Sequence, residues 1–429
     1  MTASERSPGG NRQVWSLLEA VCEAGATLAK AATLETPAVG ETERTLVASE
    51  RGIDLYRYDP DERRHETPIL IVYALVNRPY ILDLQPDRSV VRRLLEAGFP
   101  VYLIDWGEPT RLDVHAGLGD YVDRYLDNAV EATVADAGAE DCHLLGYCMG
   151  GTMSAMYAAR DDTHVRTLTT MAAPIAFDGT GGILEQWATH LDPEALVAAY
   201  GNVPGEFLAV SFAMMEPVSH TVGKLARLYD NADDPEFVEN FLRMERWIWD
   251  GVDVPGAVFS AFVGDLYQED GLVEGTVELA GDPVDLGAVE VPSQTLIGEY
   301  DDLVPPESTR PLADLIASED QRVLEFPVGH IGLSVSSDAH EDLWPDVGDW
   351  LAARSVRVED SATPTGEADA EADAERAAGD VDRTRAKATV AALSRRAAAQ
   401  VSADGGAAMV DEGAPDTHAG NESDAPVES

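Results

Sequence analysis

Between residues 69 and 353 short apolar runs alternate with segments of helical spacing, and this alternation admits few architectures. Residues 69–75 (ILIVYAL) are a continuous apolar run, as expected of a strand covered on both faces. The pattern then predicts a helix over 87–97 closed by Gly98, a strand over 101–105, a long helix over 121–137 and a strand over 143–147. Helix 149–160 and strand 165–171 follow. After a gap come strand 293–297, helix 307–317, strand 322–326 and helix 340–353. Repeated strand–helix units imply an α/β fold with a doubly wound, mostly parallel sheet. Upstream, residues 45–57 read as two short strands around Arg51-Gly52, and residues 1–43 as a polar leader with helical character.

One strand–helix junction carries chemistry. The stretch LLGYCMGG places Cys148 at the apex of a tight turn flanked by Gly146, Gly150 and Gly151. That is the nucleophile elbow of the α/β-hydrolase fold, with Cys where hydrolases usually carry Ser. The helix N-terminus beneath the apex favours a thiolate. A nucleophile needs a base, and the base an orienting acid, in the chain order nucleophile, acid, His. Strand 293–297 runs into Glu299-Tyr300-Asp301-Asp302-Leu303-Val304-Pro305-Pro306, where the acid should lie, and spacing alone leaves Asp301 and Asp302 both open. Strand 322–326 runs into Val328-Gly329-His330-Ile331-Gly332. Of nine histidines only His330 and His340 follow the acid loop within the folded region; His340 opens a helix and reads as surface, which leaves His330 as the base. An oxyanion hole would take one backbone N–H from Met149, just after the nucleophile, and a second from the loop after the first strand, placed at Val76.

The formal charge is −48, from 78 acidic and 30 basic residues, of which only Lys30, Lys224 and Lys387 are lysines. Such a surface fits a protein kept soluble in concentrated salt, where screening weakens self-repulsion, and a halophilic source is expected. It excludes a nucleic-acid partner, which needs a basic face. No apolar run approaches the length of a membrane span, and MTASERSPGGNRQVW lacks the form of a signal peptide, so a cytoplasmic protein is expected. Cys22, Cys142 and Cys148 have neither disulfide nor zinc spacing; Cys22 and Cys142 read as small buried hydrophobes.

The catalytic core is thus expected over 45–177 and 289–355, after a leader over 1–44. Residues 178–288 break the alternation, read as mixed helices rich in aromatics, and suit a cap over the site. From 356 to 429 the chain turns to Ala, Asp, Glu, Gly, Thr and Ser without Trp, Tyr or Phe, a composition of disorder. Within it, residues 382–401 hold Val390, Leu393, Ala397 and Val401 at helical spacing beside five basic residues. That segment suits a marginal solvated helix, or a docking helix for a partner or particle surface.

Longer stretches carry a resemblance. YALVNRPYILDLQPDRSVVRRLLEAGFPVYLIDWGEP, LLGYCMGGT, RWIWDGVDVPGAVFSAFVGDLYQEDGLVEG, EYDDLVPP and VGHIG resemble the catalytic subunit of polyhydroxyalkanoate synthases, the PhaC family, over residues 45–353. The compact start is similar to the two-component class III branch, and the acidity and tail to its haloarchaeal members. The resemblance implies Cys148 as nucleophile and His330 as base. The family acid lies in D-H-[IL]-V-P, which matches Asp301 through Pro305, so Asp301 takes the acid role; Asp302 stands where the family has His, and Val328 where it usually has Gly.

The implied reaction polymerises (R)-3-hydroxyacyl-CoA into polyester through a Cys-bound acyl group, with CoA released. CoA is then substrate and product, and no cofactor or metal is implied. The implied partners are a second subunit of PhaE type and the polyester granule surface, in a homodimer or hetero-oligomer. Because CoA is anionic, Arg78, Arg243 and Arg246 are candidates for positive charge near the entrance, against the plainer reading of ordinary surface arginines. The rival readings are a thioesterase or polyester depolymerase of the same fold, and a non-enzymatic granule scaffold.

Overall fold

A computed structural model describes residues 37–215, 227–228 and 230–358. Residues 1–36 of the expected leader, with Cys22, and residues 359–429 of the expected tail, with its segment 382–401, lie outside the described residues. Residues 37–43 are not helical: the Thr42 backbone N–H and hydroxyl both donate to the Asp83 carboxylate, 3.0 and 2.7 Å, which ties this stretch to the body.

Eight strands form one sheet: β1 (Thr45–Glu50), β2 (Ile53–Tyr58), β3 (Ile69–Val72), β4 (Val101–Asp105), β5 (Cys142–Tyr147), β6 (Val165–Met171), β7 (Ser293–Gly298) and β8 (Gln321–Phe326). Their order is β1-β2-β4-β3-β5-β6-β7-β8. β1 and β2 pair antiparallel, β2 is antiparallel to β4, and every later pairing is parallel. After β4 the chain crosses to the other side of β3 to lay down β5. In open α/β sheets the crevice for ligands opens at such a reversal, at the C-terminal strand ends.

Period-two alternation explains why β3 and β5 hold no charged residue. On β5, Cys142 and Leu144 enter the apolar layer on one face, and Leu145 and Tyr147 the layer on the other. The flanking helices are α1 (Val90–Glu96), α2 (Asp127–Ala137), α3 (Met149–Arg160) and, at the end of the fold, α4 (Trp344–Ala352). α2 continues the wider π-type turns of Asp120–Leu126, so the long helix expected over 121–137 is present in two windings.

Three expectations need correction. The helix expected from residue 87 begins at Val90, because residues Asp83–Gln85 and Arg88–Ser89 pair as a short hairpin and the Ser89 hydroxyl caps the helix by accepting from Arg92 N–H at 3.0 Å. The helix over 307–317 is two pieces, Pro306–Thr309 and Leu312–Leu315, since Pro311 has no N–H to continue the ladder. His340 is not surface: it is 3 % exposed, with Nε2 2.8 Å from the Ser334 carbonyl.

Between β6 and β7 the chain leaves the sheet for a series of helices, among them Ile183–Ala188, Gly205–Met215, Pro235–Trp249 and Gly256–Ser260, the last running on into π-type turns over Ala261–Gln268. Among the described residues no helix is long and apolar enough to cross a membrane, and no cluster of His, Cys, Asp and Glu could hold a metal ion.

Candidate active site

The turn between β5 and α3 forces Cys148 into φ 55° and ψ −128°, a conformation that costs a non-glycine residue about 1–3 kcal/mol. Surrounding bonds hold it there. Cys148 N–H donates to Met171 O at 2.9 Å, and its carbonyl accepts from Gly151 and Thr152 N–H at 2.8 and 3.2 Å. The glycines are required by close approach. A Cβ on Gly150 would lie 2.1 Å from Val72 O, and one on Gly146 2.5 Å from Gly150 O. The tight packing presents the thiol at the C-terminal edge of the sheet, partly exposed, at the head of α3.

The other two residues of the expected constellation also sit just beyond strand ends. Asp301, 2 % exposed, follows β7 and is locked by its own loop: Oδ1 accepts from Leu303 and Val304 N–H at 3.0 and 2.8 Å. Its Oδ2 lies 2.7 Å from Nδ1 of His330, which follows β8. Geometry distinguishes the neighbouring aspartates: Asp301 bonds the ring, whereas Asp302 is exposed at the cavity wall. With Nδ1 engaged, Nε2 of His330 is the nitrogen left to exchange a proton with a thiol. Burial opposes the imidazolium, but the Asp301 charge, with Tyr147 and Cys148 adding to it, raises the His330 pKa well above its ordinary value.

Cys148, Asp301 and His330 line one cavity of about 710 Å³. Val76 and Met149 line it too, so both residues expected to supply oxyanion donors face the same space. The loop holding Val76 is shaped by Asn77, which adopts a left-handed φ of 63°, and is pinned by Trp247 Nε1, which donates to Arg78 O at 2.9 Å. The remaining wall is mostly apolar and comes largely from the helices between β6 and β7, including Trp187, Phe212, Phe259 and Tyr267.

The candidate arginines are elsewhere. None of Arg78, Arg243 and Arg246 lines the cavity. Arg78 is paired with Glu108 and Asp250. Arg243 reaches Glu239, Gln85 and the Ala38 carbonyl, and Arg246 donates to Pro37 O with its guanidinium over the Tyr80 ring. Arg78 and Arg243 are thus paired with carboxylates, whereas Arg246 meets a carbonyl and a ring.

Sequence reasoning passed over Tyr147, Tyr267 and Trp247. The Tyr147 ring stacks on His330 at 5.2 Å, and its hydroxyl donates to His330 O at 3.1 Å, fixing the imidazole from below. Its place inside the elbow motif was a usable signal. Tyr267 stands edge-on to Phe177 at 4.5 Å, and burial, then the charges of Cys148 and Asp301, push its pKa up. Trp247 and Tyr267 looked like any other core aromatics.

With this geometry in place, kinship decides the family. Residues 67–336 match the family model of the alpha/beta hydrolase fold, and residues 29–94 match that of the N-terminus of poly-beta-hydroxybutyrate polymerase (PhaC). The poly(3-hydroxyalkanoate) polymerase subunit PhaC of Haloferax mediterranei is 51 % identical over 359 residues, 83 % of this chain and 73 % of that one. The chain belongs to the PhaC family. The PhaC subunit of Haloarcula marismortui is 50 % identical over 76 % of this chain and 71 % of its own. That of Allochromatium vinosum is 42 % identical over 73 % of this chain and 90 % of its own. The haloarchaeal branch expected from acidity and tail is where the 50–51 % identities fall.

Proposed function

We propose that this PhaC-family chain is a poly(3-hydroxyalkanoate) polymerase that converts (R)-3-hydroxyacyl-CoA into polyester and free CoA, with Cys148 as nucleophile, His330 as acid–base and Asp301 as its orienting carboxylate. The observation that carries the reading is the Asp301–His330 bond of 2.7 Å in the cavity that also holds the strained Cys148.

In the first half-reaction the Cys148 thiol passes its proton to Nε2 of His330 and the sulfur attacks the thioester carbonyl. The oxyanion formed is met by the backbone N–H groups of Met149 and Val76. The carbonyl then re-forms, the C–S bond to CoA breaks, and the imidazolium protonates the departing thiolate. In the second half-reaction neutral His330 takes the proton of a 3-hydroxyl on an incoming monomer or chain end. That oxygen attacks the acyl–Cys148 carbonyl, an ester forms, and Cys148 leaves as a thiol carrying the proton back from His330. Exchange of one thioester for another is nearly balanced in energy, and the apolar wall disfavours water as the competing acceptor.

CoA is substrate and product in this scheme and no resident cofactor takes part. The phosphates of CoA would lie outside the cavity, whose wall carries neither Lys nor Arg among the described residues. A second subunit of PhaE type, association with the polyester granule, a homodimeric or hetero-oligomeric state and a cytoplasmic site of action complete the proposal, and rest on family membership alone.

The test supplies purified chain with (R)-3-hydroxybutyryl-CoA, alone and with a co-expressed second subunit, and follows CoA release and insoluble polymer. Polymer forming with CoA release is the expected result. Free hydroxyacid without polymer would overturn it in favour of a thioesterase of the same fold, and full CoA release by Cys148→Ala would remove the catalytic assignment.

A further inference from the structure

A second groove, about 670 Å³, shares no residue with the Cys148 cavity. It runs between α1 and α4 toward the N-terminal ends of β3 and β4, where Gly98 accepts from the N–H groups of Arg64 and His65. In a chain of charge −48 it gathers Arg63, Arg64, Arg93 and Arg357, against Glu62, Glu96 and Asp349. Arg93 is paired with Glu96 at 2.7 Å. Arg63 instead donates to the carbonyls of His65, Glu66 and Ala137, and Arg64 to that of Glu96, and these partners carry no formal charge.

Two imidazoles in the wall, His65 and His340, are 4 % and 3 % exposed. Each has one ring nitrogen engaged with backbone, at Ala97 and at Ser334 O. On each the other nitrogen, Nδ1, is buried without a hydrogen-bond partner among the described residues, and so is Arg93 Nε. A neutral ring that donates through Nε2 carries a bare lone pair on Nδ1. An oxyanion there has no proton to offer that lone pair, so each Nδ1 can bond it only after taking up a proton from solvent.

We propose that this groove is a second binding site, separate from the catalytic cavity, for a phosphate-class oxyanion held by Arg63, Arg64 and Arg357 together with protonated His65 and His340. Three guanidinium groups and two ring N–H groups offer more donors than a carboxylate accepts, which favours a tetrahedral, dianionic ligand. Binding is linked to proton uptake. His65 faces Arg64, Arg357 and the buried His143 ring, and His340 faces Arg88, Arg93 and the Asp87 carboxylate; burial first, then the arginines, keep both rings neutral. The arriving anion reverses that balance, so affinity rises as pH falls.

The experiment is calorimetric titration of the full chain with sulfate, which keeps one charge state from pH 6 to pH 8, at ionic strength fixed with KCl. One saturable site is expected, several-fold tighter at pH 6, with proton uptake measurable from two buffers of different ionisation heat. Arg357→Ala should weaken it at least ten-fold, and His340→Gln should flatten the pH dependence while leaving binding at pH 8. Inorganic phosphate and adenosine monophosphate distinguish the source: equal affinity assigns the site to the free anion, tighter monophosphate to a phosphoryl ester. No saturable heat beyond the KCl control, or Arg357→Ala binding like the parent chain, would overturn the proposal.

Discussion

At the scale of single residues, Cys148, His330 and Asp301 differ in what their loss should do. Cys148→Ala should abolish acyl transfer, since it removes the only thiol among the described residues lining the cavity, and CoA release under steady-state conditions measures it. Asp301→Asn keeps the size but removes the charge that holds the His330 proton. The expected loss is about 10²–10⁴-fold in kcat. The sign of the accompanying pH effect is fixed: without Asp301 the His330 pKa falls, so the inflection it contributes to the rate profile moves to lower pH. A profile whose inflection stays put in Asp301→Asn would detach that ionisation from His330. A conservative Tyr147→Phe should cost much less, because it removes one hydroxyl bond to His330 O and keeps the stacked ring.

At the scale of elements, the β5–α3 junction is the least tolerant part of the fold. Gly150→Ala drives a methyl to within 2.1 Å of Val72 O and 2.7 Å of Tyr73 O, both backbone atoms of the neighbouring strand and its exit. A loss on the order of 3–5 kcal/mol is expected, read by denaturant titration, or failure to fold. β5 carries a second sensitive feature. His143 is fully buried, with Nδ1 2.8 Å from the Thr167 hydroxyl and Nε2 2.8 Å from the Ser355 hydroxyl. Ser355 donates to Leu351 O, so it accepts from Nε2–H. Burial, then Arg166, pushes the His143 pKa down to about 3; burial first also pushes His340 down to about 4. Both lie below the value of about 6.5 for an unfolded His. Between those limits the unfolded chain binds more protons than the folded one. The contribution of these two rings is therefore full above about pH 6.5 and falls with acid, by about 1.4 kcal/mol per unit of displacement for each ring, whereas the raised His330 pKa acts in the opposite sense above about pH 6.5. Unfolding midpoints at pH 7.5 and pH 5, at one salt concentration, check this; His143→Gln should show a shallower acid limb.

At the scale of the whole molecule, charge dominates. A formal −48 repels itself unless salt intervenes. The screening length shrinks from about 10 Å at 0.1 M to about 3 Å at 1 M ionic strength. The melting temperature should thus climb with KCl into the molar range and drop on dilution. A curve that is flat or falls with salt would show that the acidity serves something other than life in brine. The catalytic cavity should be far less sensitive than the surface, because its wall is mostly apolar and the Asp301–His330 pair is shielded from solvent.

What the sequence determined by itself is local in origin. Strand runs such as 101–105, the helix at 149–160 and the glycine-bracketed Cys148 follow from side-chain period and from backbone geometry over a few residues, and the structure has them at those places. So does the chain order of Cys148, Asp301 and His330, because strand ends are visible as the limits of apolar runs. Tertiary structure decided the rest. Spacing left Asp301 and Asp302 both open; the family resemblance favoured Asp301, and in the fold it is the Asp301 carboxylate that points inward to His330. His340 went into the interior because α4 packs against α1, a contact between distant segments that no local pattern encodes. Arg78 found Asp250, and Arg243 and Arg246 the carbonyls of Ala38 and Pro37, all far along the chain, and none of the three arginines lines the cavity. The groove with His65 and His340 exists only where α1, α4 and the strand entries meet. Propensity and period act over one turn or one strand; burial and charge pairing act between residues that only the completed fold makes neighbours.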